Sequence, residues 1–327
     1  MFEVNPNILD QVLEHYENQP FLICGNRIWT FAEFIREARL LSDSLKTVSQ
    51  QRVYLNTDNP ENLLKAMLAL WMRRAVAVPL NPQIPEKQKR ELMQKIDCTY
   101  SYIELQKELV SHTTLENSLQ PKPVGNFDSV AVNVQNLINP EDWATIIFTS
   151  GSTGSPKAVV HSLANHFYNA LGAIERMPLI SGDRWLLSLP MFHISGLAIF
   201  FRTMLSGAAM VIPTKNISLT EILQNQNVTH LSLVPTQLHR LLQTATGKDA
   251  LCQLKLILLG GASIPETLLK QSTQLGLNLQ TTYGSTEMAS QVATGKNGIY
   301  QVLPFREVRI AEDSEIEVRG KIRFFGY

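Results

Sequence analysis

Thr149-Ser-Gly-Ser-Thr-Gly-Ser-Pro-Lys157 is the stretch that decides how this chain folds, and it follows directly on the apolar run Ala144–Phe148. Glycine-rich turns at the carboxyl end of a buried strand are typical of ligand sites in layered α/β sheets. Glycine allows tight and left-handed backbone turns, so successive N–H groups can converge on an anion. Five hydroxyl side chains add donors, and Lys157 adds a positive charge. We therefore expect this turn to hold a polyphosphate.

The turn is distinct from a Walker A loop, in which Gly-Lys-Ser/Thr stands directly before a helix. Here Pro156 precedes Lys157, and Ala158 follows it. A flexible Ser/Gly turn that binds nothing is the alternative interpretation. The buried strand immediately before the turn favours a phosphate site, because it supplies the structural context that such a motif needs.

Outward from this turn, short β-rich runs alternate with helical patterns along the chain. The runs predicted as strands are Arg52–Thr57, Ala75–Leu80, Ala144–Thr149, Trp185–Leu189, Ala208–Ile212, Leu231–Val234, Leu254–Leu259 and Leu279–Tyr283. Many are almost continuously apolar, which is typical of strands covered on both faces. Alternation of strands and helices predicts right-handed βαβ units, so the fold class is α/β, with layered αβα subdomains and mostly parallel sheets.

Three helix starts can be recognised from their capping residues. Thr30-Phe-Ala-Glu33 fits a capping box, and Asn59-Pro-Glu61 offers an N-cap followed by a proline at the first helical position. Ser263-Ile-Pro-Glu266 combines a cap, a proline and a box before the helical pattern of Thr267–Leu275. These signals predict helices that begin at Thr30, Asn59 and Ser263.

The last part of the chain has a different, antiparallel pattern. Val308–Ile310 and Ile316–Val318 flank an acidic turn and predict a hairpin, and Lys321–Phe325 looks like another strand. We expect residues 1–300 to form two packed α/β subdomains and residues 301–327 to form an antiparallel, β-barrel-like segment.

Composition excludes several classes of protein. The chain has 327 residues, 44% of them hydrophobic, and its 29 Lys and Arg balance its 29 Asp and Glu. A net charge of zero argues against a nucleic-acid partner, which usually requires a basic excess. The three cysteines are far apart, so neither a disulfide framework nor a zinc site is expected. Leu197–Pro213 is interrupted by Arg202 and predicts a buried helix followed by a strand rather than a membrane span. The N-terminus lacks the features of a signal peptide, so a cytoplasmic location is expected.

The Thr149–Lys157 turn resembles the signature loop of the adenylate-forming enzymes, and three further segments resemble other motifs of that family. These enzymes include acyl-CoA and aryl-CoA ligases, luciferases and peptide-synthetase adenylation domains, which join a carboxylate to AMP and pass the acyl group to a thiol. The further segments are in the family's order: Leu189–Gly196, Leu259–Ser263 and Tyr283–Glu287. The resemblance implies the large N-terminal domain of these enzymes.

A closer resemblance is to the o-succinylbenzoate–CoA ligases of menaquinone and phylloquinone biosynthesis. It is carried by Val78–Gln83, Phe148–His161, Trp185–Gly196 and Ser232–Leu242. It implies a small-molecule carboxylate substrate, 2-succinylbenzoate, with ATP and Mg²⁺ as cofactors and coenzyme A as co-substrate. Another aryl- or medium-chain acyl-CoA ligase and a non-catalytic nucleotide-binding fragment remain as alternatives, and a homodimer is left open.

The resemblance assigns residues to the nucleotide and its metal ion. Those assigned to ATP are Thr149, Ser150, Gly151, Ser152, Thr153, Gly154, Lys157, Gly260, Gly261, Ala262, Tyr283, Gly284 and Thr286. The small residues at 260–262 leave room for adenine, and Tyr283 stacks on it. Glu287 holds Mg²⁺, a hard cation that prefers carboxylate and phosphate oxygens. From their types alone, Tyr283 could equally be a core tyrosine and Glu287 a solvated surface acid.

A second set is assigned to catalysis and to the acyl substrate. The assigned catalytic residues are His193 and Lys157, and the substrate residues are His193, Ser195, Thr236, Arg240 and Gly261. His193 gates the acyl pocket in this interpretation, although a lone histidine on an apolar segment is often a core residue. A general base is unnecessary, because a carboxylate is already ionised at neutral pH.

The proposed substrate has a second carboxylate that is not activated. Burying it without a polar or cationic partner would be unfavourable. Thr236 and Arg240 are four residues apart on the helix that starts at Pro235, so they share a face that could line the pocket. Arg202 is a rival candidate, and Arg240 could instead extend along the surface without a ligand.

The sequence also departs from the family pattern. The family's Thr-Gly-Asp segment, its hinge and its small C-terminal domain with a catalytic lysine are not found in the 327 residues. Val302–Phe305 lacks the glycine that usually follows its proline. We therefore expect a fragment that binds nucleotide but turns over poorly, because a lid domain completes such sites.

Overall fold

The computed structural model describes residues 2–45, 48–103, 108–111, 122–123, 138–149, 156–214, 216–296 and 298–327. The chain divides into two compact units. Unit 1 comprises Met1–Gln11, Ala32–Leu163 and Phe325–Tyr327, and unit 2 comprises Val12–Phe31 and Ala164–Phe324.

The elements are numbered in chain order. The helices are α1 Ile8–Tyr16, α2 Phe31–Ser44, α3 Pro60–Met72, α4 Glu86–Lys95, α5 Leu163–Arg176, α6 Ile194–Ser206, α7 Leu219–Asn225, α8 Pro235–Leu242, α9 Ala245–Cys252 and α10 Glu266–Gln274. The strands are β1 Pro20–Cys24, β2 Arg27–Thr30, β3 Arg52–Asn56, β4 Val76–Pro79, β5 Tyr100–Ile103, β6 Glu108–Ser111, β7 Lys122–Pro123, β8 Trp143–Thr149, β9 Lys157–Ser162, β10 Arg184–Leu186, β11 Ala209–Ile212, β12 His230–Leu233, β13 Leu256–Leu259, β14 Leu279–Ser285, β15 Ser290–Lys296, β16 Ile299–Val302, β17 Arg306–Ile310 and β18 Ile316–Gly320.

The sheet of unit 1 has the strand order β7-β6-β5-β3-β4-β8-β9. Its central strands β5, β3, β4 and β8 are parallel, and antiparallel strands complete both edges. Val78 and Ile146 lie in its apolar core. The crossover helix α3 starts where its capping residues predict, since Asn59 Oδ1 accepts a hydrogen bond from the Glu61 N–H at 2.9 Å and Pro60 occupies the first turn.

The sheet of unit 2 has the strand order β16-β15-β14-β13-β12-β10-β11-β1-β2. Parallel pairing runs from β14 to β1, whereas β15, β16 and β2 are antiparallel. Every residue of β12 and β13 is buried, which is typical of parallel strands covered on both faces. The predicted α/β class and its mostly parallel sheets are therefore confirmed.

Several local predictions are confirmed as well. β17 and β18 form the expected antiparallel hairpin, with Val308 paired to Val318. The stretch 197–213 forms the end of α6 followed by β11.

The three cysteines, Cys24, Cys98 and Cys252, are free. In the part of the chain that the structure describes, no helix combines the length and apolarity needed to cross a membrane.

Other local predictions are wrong. Ser263 does not cap α10, which begins at Glu266 after Pro265. Proline disfavours helical geometry in the residue before it, and Pro265 itself is extended, with ψ 135°. Lys321–Phe325 does not form a strand, because the chain turns there and the Arg323 N–H donates to the Gly320 carbonyl. The β1–β2 hairpin was not predicted.

Candidate nucleotide and acyl site

The two ends of the proposed polyphosphate turn lie on one hairpin of unit 1. Thr149, the last residue of β8, pairs with Lys157, the first residue of β9, and Phe148 pairs with Ala158. The turn therefore returns the chain into an antiparallel strand, whereas a Walker A loop leads into a helix. Ser150, Gly151, Ser152, Thr153 and Gly154 lie outside the described residues, so their roles stay predictions.

Neighbouring groups hold Lys157 at the base of this turn. Its Nζ lies 4.6 Å from the centre of the Tyr327 ring, a cation–π distance. Tyr327 is fixed beside β9 because the Phe325 N–H donates to the Val160 carbonyl at 2.9 Å, and the Val160 N–H donates to Gly326 at 3.1 Å. The ammonium group of Lys157 is thus presented on an ordered strand.

In unit 2, the segments predicted to contact adenine end side by side. β13 and β14 are parallel neighbours with Leu259 paired to Thr281, so Gly261 and Tyr283 each lie just beyond that pair. Gly260 is buried, and a Cβ atom there would overlap the Thr282 side chain. Gly261 has φ +81°, a conformation that favours glycine. Packing against Thr282 therefore requires a glycine at 260, and the left-handed backbone favours one at 261.

A groove of about 1550 Å³ opens at these strand ends. Gly261, Ala262, Tyr283 and Gly284 all line it. The Tyr283 side chain is 42% exposed, so it is not a core tyrosine and a planar ligand can reach its ring. The groove exceeds the roughly 300–1,000 Å³ of typical ligand pockets, so a nucleotide fits within it.

The chain makes a tight turn after Tyr283. β14 and β15 pair with a bulge between Tyr283 and Gly284, and a Cβ atom on Gly284 would overlap the Ser290 carbonyl. A 3₁₀ turn, Thr286–Met288, follows and presents the half-buried Thr286 and Glu287. The Glu287 carbonyl accepts a hydrogen bond from the Phe324 N–H at 2.8 Å.

The donors near Glu287 are consistent with a metal that is held partly by phosphate. Among the described residues, no group of three or more His, Cys, Asp and Glu side chains is arranged to hold a metal ion. A single carboxylate together with substrate phosphates is the usual environment of Mg²⁺, which keeps several waters. Glu287 fits such a site, whereas it does not fit an all-protein metal site.

His193 is an exposed residue at the N-cap of α6, so it is not a core histidine. Partial desolvation by the surrounding protein lowers its pKa, which leaves the imidazole neutral at pH 7. Ser195 is half-buried in the first turn of the helix. Gly196 allows that turn to fold against Pro190, since a Cβ atom would overlap the Leu189 and Pro190 carbonyls.

The two candidates for the second carboxylate differ in their surroundings. Thr236 and Arg240 share a face of α8 as expected, but both are exposed. Arg202 is 1% exposed, and no carboxylate of the described chain forms an ion pair with it. Its Nη2 lies 3.5 Å from Ser290 Oγ, and its Nε lacks a hydrogen-bond partner among the described groups.

Charge and burial make Arg202 unusual. Burial and the nearby Arg306 guanidinium lower the pKa of Arg202 to about 9, so it remains charged at pH 7. A buried charge without a counter-ion is unfavourable, and an anionic ligand would relieve it. Arg202 is therefore better suited than Arg240 to bind a buried carboxylate.

The structure also reveals buried polar residues that the sequence interpretation missed. Asn169, Gln291 and Arg306 cluster behind the Thr286–Met288 turn, and each is less than 10% exposed. Asn169 lies in the buried stripe of α5. Gly172, which has no Cβ atom, follows about one turn later. A polar residue within an apolar helical stripe is a signal that could have indicated Asn169. Its hydrogen-bond partners could not be found this way, because they are distant in sequence.

The sequence of this chain matches the family described as AMP-binding enzyme over residues 9–322. That match covers the strands, glycines and turn described above. The chain belongs to this family. The resemblance to adenylate-forming enzymes is thereby confirmed.

Individual curated relatives show which members of the family this chain is similar to. The chain is 37% identical over 279 residues to a 2-succinylbenzoate–CoA ligase of Salmonella typhimurium, covering 84% of this chain and 58% of the relative. It is 35% identical over 287 residues to the Escherichia coli 2-succinylbenzoate–CoA ligase, with the same coverage. The chain thus spans somewhat more than half the length of these relatives.

Solved structures share the fold. An Escherichia coli MenE variant with bound OSB-AMS matches with a TM-score of 0.80 and 29% identity, covering 100% of this chain and 71% of that chain. The N-terminal subdomain of Klebsiella oxytoca NpsA matches with a TM-score of 0.82 and 20% identity, covering 100% of this chain and 90% of that chain. The second likeness concerns the fold alone.

Proposed function

We propose that this chain is the nucleotide- and acyl-binding part of an ATP-dependent acid–thiol ligase. The reaction activates 2-succinylbenzoate to an acyl-adenylate and transfers the acyl group to coenzyme A, giving 2-succinylbenzoyl-CoA, AMP and diphosphate. Similarity to 2-succinylbenzoate–CoA ligases over 84% of the chain supports this assignment. The balanced charge is consistent with a small-molecule substrate rather than nucleic acid.

The observation that carries the proposal is the shared edge formed by the carboxyl ends of β13 and β14. Gly261 and Tyr283 lie there beside each other and line one groove. Ligands bind outside the carboxyl ends of strands in open α/β sheets. Adenine stacks on the exposed Tyr283 ring, and the absence of side chains at Gly260 and Gly261 lets the base approach the backbone.

Phosphate binding is assigned to the β8–β9 turn and to the turn after β14. Thr149 and Lys157 lie at the two ends of the first turn, where the lysine ammonium neutralises phosphate charge. Thr286 binds the α-phosphate, and Glu287 holds Mg²⁺. Bound Mg²⁺ supplies positive charge that stabilises the departing diphosphate. In unit 2, Thr286 orients the α-phosphate for in-line attack by the substrate carboxylate.

The acyl end of the site is assigned to α6. Arg202 binds the ring carboxylate of 2-succinylbenzoate, because its buried charge has no carboxylate partner in the described protein. His193 and Ser195, at the start of the same helix, line the entrance.

Calorimetric titration of this chain with ATP in Mg²⁺, followed by a thermal-shift panel, tests the proposal. Only a ligand that binds the folded state raises the melting temperature, by the equivalent of about 2.7 kcal/mol at 100 times its Kd. We expect stabilisation by 2-succinylbenzoate but not by 4-oxo-4-phenylbutanoate, which differs only in lacking the ring carboxylate. Equal stabilisation by both compounds would contradict the assigned substrate, and no binding of ATP would contradict the nucleotide site.

A further inference from the structure

The turn that presents Thr286 and Glu287 ends in strained backbone. Ala289 has φ +50° and Ser290 has φ +115°, and neither residue is glycine. Such conformations are unfavourable and persist only where the surroundings hold them. Two consecutive strained residues directly after the proposed magnesium and phosphate ligands therefore require an explanation.

The side chain of Asn169 supplies one such restraint. Its Nδ2 donates to the Met288 carbonyl at 3.1 Å and to the Gln291 carbonyl at 3.0 Å. These two carbonyls immediately flank the strained pair. Asn169 is 1% exposed, so neither bond competes with solvent.

A second restraint acts on the same carbonyl. The Arg306 guanidinium donates through Nη1 to Gln291 O and through Nε to Pro304 O at 2.9 Å. It fits against α5 only because residue 172 is glycine, since a Cβ atom there would overlap Arg306 Nη2. The Asn169 amide and the Arg306 guanidinium thus converge on one point of β15.

We propose that Asn169 is a positioning residue for the proposed magnesium and phosphate site. Its amide ties α5 to both sides of the Ala289–Ser290 link and thereby fixes the turn that presents Thr286 and Glu287. The inference rests on the proposed function of that turn. It extends the site to a residue that contacts neither nucleotide nor metal.

The test compares Asn169→Leu with Asn165→Leu. Leucine has the same branching and number of side-chain heavy atoms as asparagine, so both variants remove amide donors from a buried site without leaving a large cavity. Asn165 is one turn earlier on α5 and donates to the Lys321 carbonyl at 2.9 Å, not to a carbonyl of the 288–291 link. Asn169→Ser, a milder change, is made in parallel in case the leucine variant does not fold.

The first readout needs no nucleotide. Hydrogen exchange is measured on the peptide that contains residues 284–291. We expect exchange about tenfold faster in Asn169→Leu than in the wild type, because losing buried hydrogen bonds shifts a local opening equilibrium by that order. We expect no change in this peptide for Asn165→Leu and an intermediate change for Asn169→Ser.

The second readout is the ratio of ATP affinity in Mg²⁺ to ATP affinity in EDTA. We expect this ratio to fall about tenfold in Asn169→Leu, while AMP affinity stays within about twofold, because only the placement of the turn has changed. Unchanged exchange would overturn the restraint itself. Faster exchange with an unchanged Mg²⁺ ratio would overturn its positioning role. A wild-type chain that binds no ATP would instead refute the proposed function, and exchange would still report on the restraint.

Discussion

Thr149 lies directly opposite Lys157 at the end of the antiparallel β8–β9 pair. The serine- and glycine-rich segment between them therefore starts and ends on one strand pair, and Lys157 lies in a strand. The Tyr327 ring 4.6 Å from Lys157 Nζ restricts that ammonium further. This geometry suits a cation whose task is to neutralise phosphate charge.

Replacing Lys157 by alanine should weaken ATP binding while sparing AMP. Loss of a charge-assisted contact to the outer phosphates should reduce ATP affinity by roughly 10–100-fold, the equivalent of about 1.5–3 kcal/mol. Titration calorimetry with both nucleotides measures the difference. Lys87→Ala removes an exposed lysine of α4 in the same unit and serves as the control. An ATP affinity of Lys157→Ala equal to that of the control would argue against the phosphate role.

Replacing Glu287 by glutamine should remove the Mg²⁺ dependence of ATP binding. The amide keeps the size of the side chain but lacks the charge that a hard cation prefers. We expect ATP affinity in Mg²⁺ to fall to the value measured in EDTA, with AMP affinity unchanged. Glu315→Gln, at an exposed turn, is the matched control. The metal role would be refuted by a persisting Mg²⁺ effect in Glu287→Gln.

Replacing Arg202 by methionine should abolish discrimination between 2-succinylbenzoate and 4-oxo-4-phenylbutanoate. The buried guanidinium has no carboxylate partner among the described side chains, so an apolar residue of similar length should preserve the fold. Arg240→Ala, on the exposed face of α8, should leave the discrimination intact. Thermal shifts with both compounds measure the discrimination in each variant. If only Arg240→Ala lost it, the ring carboxylate would be assigned to α8.

Asp183 should stabilise unit 2 in a pH-dependent way. Burial opposes its ionised form, but the Lys255 ammonium at 2.6 Å and the Ile180 N–H at 3.2 Å outweigh burial and lower its pKa. A lowered pKa stabilises the fold above the unfolded value of about 3.9, and that stability is lost as the pH falls through the folded value.

Asp183→Asn should therefore reduce the free energy of unfolding at pH 7 by about 1–2 kcal/mol, and the difference should shrink below about pH 4. Urea titrations at several pH values measure both quantities. Asp43→Asn is the control, because the Asp43 carboxylate that pairs with Arg73 is 62% exposed and should contribute less than about 0.5 kcal/mol. A stability gap for Asp183→Asn that is equally large at pH 3 and pH 7 would refute the ionic origin.

Local rules predicted those elements whose signals lie within a few residues. The Asn59 cap, the buried strand before Thr149 and the 308–318 hairpin follow from capping geometry, apolar runs and alternation. The rules erred at Ser263 because Pro265 delays the start of α10. Gly260 and Gly261 were predicted to leave room for adenine, which stays a prediction. The structure shows a packing requirement at Gly260 and a left-handed conformation at Gly261.

Long-range contacts account for most of what the sequence did not indicate. Asn169 reaches the Met288 carbonyl across 119 residues, a pairing that no local pattern encodes. Arg202 was recognised as an interruption of an apolar stretch, but its burial depends on how β10 and β15 pack around α6. Sequence spacing correctly put Thr236 and Arg240 on one face of α8 and could not reveal that this face is exposed.

A crystal structure of this chain with Mg²⁺ and a non-hydrolysable ATP analogue tests the central claim most directly. We predict electron density for the outer phosphates within hydrogen-bond distance of residues 149–157. Phosphates bound elsewhere, with no density beside these residues, would contradict the account.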